Sequence, residues 1–213
     1  MIYELSVVCN GDATDEVVKS VTALVKEVVE AGQGQILITD NWGKMYLAQA
    51  TSSGTKKALY LYFMYKSDGQ CNTELERRLG INEGVTRQMV INVGDDSDGE
   101  ALFKAYKTPF SKTHPGSVVD AEGQEDAMAE EDMGKDRRRF SRRKGCWFTA
   151  RKITADWKDP ATFSWLINEF GKISPARVSG ITRKHQRYAN SAIKRARQVG
   201  LASHLSGRMA DPA

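Results

Sequence analysis

Residues 2–9 alternate Tyr3, Leu5 and Val7 with Glu4 and Ser6, the two-residue period of a strand with one buried face. Farther on, Val17, Val21, Leu24 and Val28 recur at helical spacing, which predicts an amphipathic helix. Asp12 and Thr14 are its candidate caps, Asp15 and Glu16 complement the positive end of its dipole, and Gly32 and Gly34 end it. Residues 35–39 and 44–48 read as strand stretches around a turn or bulge at Asp40-Asn41-Trp42-Gly43, and residues 58–65 are a strand-forming run rich in aromatics. A short helix follows from Asn72, with Leu75 and Leu79 inward and Gly80 closing it, and residues 85–93 supply the last strand.

The order strand, helix, strand, strand, helix, strand within residues 1–94 predicts an α+β fold, a ferredoxin-like βαββαβ domain whose antiparallel sheet is covered by two helices on one face. The third strand is apolar on both sides, with Leu59, Leu61 and Phe63 on one and Tyr60, Tyr62 and Met64 on the other. Tyr60, Tyr62 and Met64 are therefore candidates for contact with another domain or partner, against the simpler reading of core and rim packing.

From residue 95 to 134 the periodicity dissolves into Gly, Ser, Asp and Glu, which reads as a flexible acidic linker. As a random coil it would span roughly 35 Å. A basic helical domain is expected over residues 135–213. Charge sharpens this division. Residues 135–213 hold 19 of the 31 Lys and Arg but 5 of the 27 Asp and Glu, while residues 119–134 carry seven acids and no base. The overall +4 thus hides a tail of net +14, a surface suited to polyanions through long-range attraction and counterion release.

Within that tail, residues 137–144 pack six cations into eight positions, which neither helix nor strand could bury, so an extended arm is expected. Phe140, Trp147 and Phe148 interleave groups able to stack on bases. Asp159-Pro160 is expected to open a helix running to about Phe170, with Phe163, Leu166, Ile167 and Phe170 buried and Gly171 as its stop. Lys172 and Arg177 fall on the connector, and a second helix starts after Thr182. There Ala189, Ala192, Ile193 and Ala196 form a narrow apolar stripe among many cations.

Other chemistry finds little support. No run reaches 18 apolar residues and the start of the chain lacks a basic region followed by an apolar one, so neither a membrane span nor a secretory signal is expected. Cys9, Cys71 and Cys146 are isolated, which argues against disulfides and a zinc site and for a cytoplasmic setting. His114, His185 and His204 are scattered and no phosphate loop occurs, so no enzyme and no cofactor is expected. Cys146 beside the arm reads as a small packed residue in preference to an activated thiol.

The stretch from Phe140 to Ala150, Lys158-Asp159, Gly171-Lys172-Ile173 with Pro175, Arg177 and Gly180, Gln186-Arg187, and the run from Ala192 to Arg197 together resemble the eighteenth protein of the bacterial small ribosomal subunit. Tyr3-Glu4, Asp40 to Lys44, Leu47-Ala48 and the run from Arg87 to Val90 resemble the sixth protein of the same subunit. Gln49-Ala50, Ile181-Thr182 and His185 depart from the usual patterns of these families. The resemblance implies two normally heterodimeric proteins fused in one chain, a ribosomal location, and binding to the central domain of small-subunit rRNA beside neighbouring ribosomal proteins. The two domains would pair in cis or in trans.

On that reading the phosphate-contact candidates are Arg137, Arg138, Arg139, Arg142, Arg143, Lys144, Arg177, Arg183, Lys184, Arg187, Lys194, Arg195 and Arg197, with Lys44 and Arg87 in the first domain. A second reading is translational repression through an operon mRNA leader. A third is a helix-turn-helix DNA-binding protein, because two helices joined by a turn are expected between residues 160 and 199.

Overall fold

The computed structural model describes residues 1–51, 54–95, 102–103, 106, 108 and 145–212. The expected arm, residues 137–144, lies outside them. Strands β1 (Ile2–Asn10), β2 (Gln35–Tyr46), β3 (Lys57–Lys66) and β4 (Val85–Gly94) alternate with helices α1 (Asp15–Ala31) and α2 (Cys71–Ile81). The sheet is antiparallel in the order β4-β1-β3-β2, extended at one edge by β5 (Asp211–Pro212) from the far end of the chain. This is the ferredoxin-like α+β arrangement, followed by a helical C-terminal region.

The turn or bulge expected at residues 40–43 is a bulge. β2 runs unbroken past it, with register irregularities between Ile36 and Ile38 and between Asn41 and Gly43. The Asn41 carboxamide oxygen accepts the Gly43 N–H at 2.9 Å, and Gly43 has φ +82°, so the kink is set locally without ending the strand.

The C-terminal region is built from α3 (Trp147–Arg151), two 3₁₀ turns (Pro160–Thr162 and Ser164–Leu166), α4 (Ala176–Ser179) and α5 (Arg183–Gln198). The helix expected from residue 159 to 170 is absent. Asp159 accepts the Ala161 N–H, which tightens the first turn, and Ile167 bridges antiparallel to Ile173. The Asn168 side chain accepts from the N–H groups of both Phe170 and Lys172, and Gly171 turns the chain at φ +73°. A Cβ at Gly171 would lie 2.7 Å from the His204 carbonyl oxygen, so this hairpin requires glycine. Phe163 and Leu166 are buried as expected, but Phe170 sits at the hairpin tip, 76% exposed. With no full helix before the connector, and only four residues in α4, the helix-turn-helix reading loses its structural basis.

Two cores share the one sheet. Tyr3, Leu5, Val7 and Cys9 of β1 and Leu59, Leu61, Phe63 and Tyr65 of β3 pack under Val21, Val25, Val28, Leu75 and Leu79 of the helices. The opposite face presents Ile2, Val8, Tyr60, Tyr62 and Met64 to Phe148, Trp157, Phe163, Leu166, Ala189, Ala192, Ile193 and Ala196 of the C-terminal region. Period-two alternation in β1 and β3 thus divides one strand pair between two apolar partners. The small residues along α5 allow its backbone to approach the sheet closely. None of the helices among the described residues is long and apolar enough to cross a membrane.

Candidate nucleic-acid interface

The seam between sheet and C-terminal module contains a buried polar cluster centred on Glu4. Its carboxylate accepts the Tyr62 hydroxyl at 2.7 Å, the Trp157 indole N–H at 3.2 Å and the Lys158 ammonium at 2.8 Å. Lys158 also reaches Asp156 at 3.3 Å. Burial pushes the Lys158 ammonium down, but Asp156 and Glu4 outweigh it and hold the pKa above the ordinary lysine value. Burial, then the negative charge of Glu4, push the Tyr62 phenol up. A charge enclosed this deeply is tolerated only when its hydrogen-bond capacity is filled, so the cluster ties docking of the modules to one relative placement.

Around it the contacts are aromatic and backbone-directed. Trp42 stacks on Tyr62 with centroids 5.3 Å apart and leans against Trp157 at 5.9 Å. Tyr60 donates its hydroxyl to the Val199 carbonyl at 2.8 Å, Arg87 donates to the Gln198 carbonyl at 3.3 Å, and the Ala48 N–H donates to the Gly200 carbonyl at 3.1 Å. Within the stretch read as linker, Tyr106 stacks on Tyr62 at 4.7 Å, accepts the Trp42 indole N–H at 2.9 Å and donates to Asp40 at 2.6 Å; Thr108 donates to Asp40 at 3.0 Å. Tyr60, Tyr62 and Met64 are all buried in this seam.

The cations divide differently. Arg183, Lys184, Arg187, Lys194 and Arg195 are exposed on α5, on the sides left free by its buried alanine stripe, and Arg177 is exposed on α4. The Thr182 side chain accepts the His185 N–H to start α5, so this face begins at a defined residue. Lys44 is exposed on β2. Among the described residues, two candidates have intramolecular partners that their sequence positions do not reveal. Arg197 donates to the Ser203 carbonyl at 3.1 Å and to the Gly171 carbonyl, and burial lowers its pKa; Arg87 is tied to the end of α5. Arg137, Arg138, Arg139, Arg142, Arg143 and Lys144 lie outside the described residues. Sequence reasoning passed over Arg151, whose guanidinium sits 4.7 Å from the Trp147 ring, and Tyr188, a residue 46% exposed next to Arg187. An aromatic at an outward helical position was the signal for Tyr188.

Cys146 is not fully packed away. Its sulfur lies 3.2 Å from His185 Nδ1 and accepts the Thr182 N–H at 3.4 Å. Burial pushes the thiol up, but hydrogen bonds from Thr149, Thr182 and His185 outweigh it and bring the pKa to about 6. Among the described residues no cluster of three or more His, Cys, Asp or Glu is placed to hold a metal ion.

Comparison with known proteins places both halves. Residues 2–92 match the family model of Ribosomal protein S6, and residues 151–202 match that of Ribosomal protein S18. Small ribosomal subunit protein bS18 of Treponema pallidum (strain Nichols) is 40% identical over 92 residues, covering 43% of this chain and 93% of that protein. The bS18 protein of Geotalea daltonii is 53% identical over 66 residues, covering 30% of this chain and 72% of that protein. A crystal structure of 30S ribosomal protein S6 from Thermotoga maritima aligns with 20% identity and a TM-score of 0.42, over 48% of this chain and 96% of that one.

Proposed function

The chain belongs to the bS18 family of small ribosomal subunit proteins and carries a ribosomal protein S6 module ahead of it, and we propose that it binds the central domain of small-subunit rRNA as one covalently joined pair. Its role is structural, not catalytic. The observation that carries this reading is the sidedness of the C-terminal module. Its apolar side packs on the S6-like sheet, whereas Arg177, Arg183, Lys184, Arg187, Lys194 and Arg195 remain exposed. Docking therefore leaves the cationic surface free for phosphate, and the sequence of residues 137–144 supplies six more cations. Folded RNA shape and unstacked bases then supply specificity.

Joining the modules turns a two-chain encounter into an intramolecular one, at roughly millimolar effective concentration for a linker that spans the distance. Neighbouring small-subunit proteins are the further partners expected at such a site. Filter binding tests the reading: the full chain should hold a central-domain rRNA transcript more tightly than an equally long transcript from another rRNA domain. Equal affinity for both would remove the specific site and leave only general attraction to RNA.

A further inference from the structure

Four side chains at the start of α5 make a feature that general phosphate attraction does not explain. Arg183 and Arg187 stand one helical turn apart, Lys184 and Tyr188 stand one turn apart beside them, and together they line a groove of about 380 Å³. Small-ligand sites have volumes of roughly 300–1,000 Å³. All four residues are exposed, and among the described residues none of their side chains makes a hydrogen bond, ion pair or ring contact. The first turn of α5 contains no acidic residue, so its cations add to the positive end of the helix dipole. That arrangement is locally unfavourable until an anion arrives. Beside it stands half-exposed Tyr188, whose ring stacks on no other ring among the described residues.

Resting on the RNA-binding reading, we infer that this groove receives one unstacked nucleotide, its base against Tyr188 and its flanking phosphates on Arg183, Lys184 and Arg187. Duplex nucleic acid would satisfy the cations but keep its bases stacked away from Tyr188. An acidic peptide would satisfy the cations and leave the ring face uncovered. A bulged or single-stranded nucleotide matches both halves of the groove.

The test compares the full chain with Tyr188→Phe, Tyr188→Leu and Arg187→Ala, using the central-domain rRNA transcript as probe over a range of salt. Tyr188→Leu should weaken binding roughly 5- to 150-fold, the range for losing one base–aromatic stack, with the salt slope unchanged. Tyr188→Phe, which keeps the ring, should stay within about twofold of the parent. Arg187→Ala should reduce the salt slope by about one. Because Tyr188 is half-exposed, matching circular dichroism and protease protection are expected in every variant. Parent-like affinity of Tyr188→Leu overturns the groove while leaving the RNA-binding reading intact. Failure of the parent chain to hold the transcript overturns that reading and the groove with it. Displacement of the transcript by polyglutamate but not by an oligouridylate of equal charge would overturn the inference in favour of an acidic polypeptide.

Discussion

Glu4 and Lys158, separated by 154 positions, meet at 2.8 Å with side chains only 6% and 12% exposed. One belongs to the S6-like strand β1 and the other to the bS18 module, so the ion pair exists only when the two are docked. In such surroundings removing one partner strands the other charge, whereas replacing both can be nearly neutral. Lys158→Met should therefore destabilise the docked state by about 3–5 kcal/mol. The double variant Glu4→Gln with Lys158→Met should recover most of that loss, because a carboxamide oxygen at the Oε2 position still accepts the Trp157 indole N–H while its NH2 group donates to the Tyr62 hydroxyl oxygen. Urea unfolding monitored by tryptophan fluorescence measures both, and strictly additive losses would show that the two side chains are not coupled.

The same seam fixes a pH response. Lys158, Tyr60 and Tyr62 all have pKa values raised in the folded chain. A group with a raised folded-state pKa contributes stability that is fully present below its unfolded value, about 10 for both residue types, and is lost as pH climbs through the folded value. Protection of the seam against protease should be level from pH 7 to about 9 and decline above about 10. Loss of protection between pH 7 and 9 would contradict the assignment.

How far such features are legible in sequence depends on their range. Alternation in β3 sets Tyr60, Tyr62 and Met64 on one face because strand geometry is local, and that face is the one covered by the C-terminal module. The spacing of Phe163, Leu166, Ile167 and Phe170 imitates a helix, yet Asp159, Asn168 and Gly171 bend the chain into turns through side-chain and backbone bonds that periodicity does not register. Glu4 reads as the solvated side of β1, since its partners Tyr62, Trp157 and Lys158 are far away in sequence. Arg197 reads as one more surface cation for the same reason: its acceptors, the carbonyls of Ser203 and Gly171, are brought near by a loop closure. Charge asymmetry survives folding better, because the exposed cations of α5 depend on one helix alone.

Close approach of the modules also depends on Gly200. It has φ +84°, and a Cβ there would lie 2.9 Å from Leu47 Cδ2 and 3.3 Å from the Tyr60 hydroxyl. Gly200→Ala should cost at least about 1 kcal/mol from the left-handed backbone alone, with further loss from the displaced Tyr60–Val199 hydrogen bond. Tyr60→Phe isolates that bond and should cost about 1–3 kcal/mol by leaving a buried carbonyl unpaired. Thermal unfolding of both variants provides the check, and parent-like midpoints would place the seam elsewhere.

Cys146 should behave unlike the other two cysteines. Its thiol is lowered to about 6, while Cys9 is buried with its thiol raised to about 11 and Cys71 is buried in the first core. Iodoacetamide at pH 7 should modify Cys146 selectively, with the rate half-maximal near pH 6. His185→Ala should move that midpoint upward. A midpoint at the ordinary thiol value of about 8.5 would show that the His185 and Thr182 contacts do not stabilise the thiolate.

RNA binding by the docked modules requires the cations left outward by docking to engage phosphate. The most direct measurement is the affinity of the full chain for the central-domain rRNA transcript between 50 and 200 mM monovalent salt. Engagement of about six to ten phosphates predicts a fall of roughly three to five decades over that range. A change of less than about one decade would mean that the exposed face of α5 and the arm do not carry the binding.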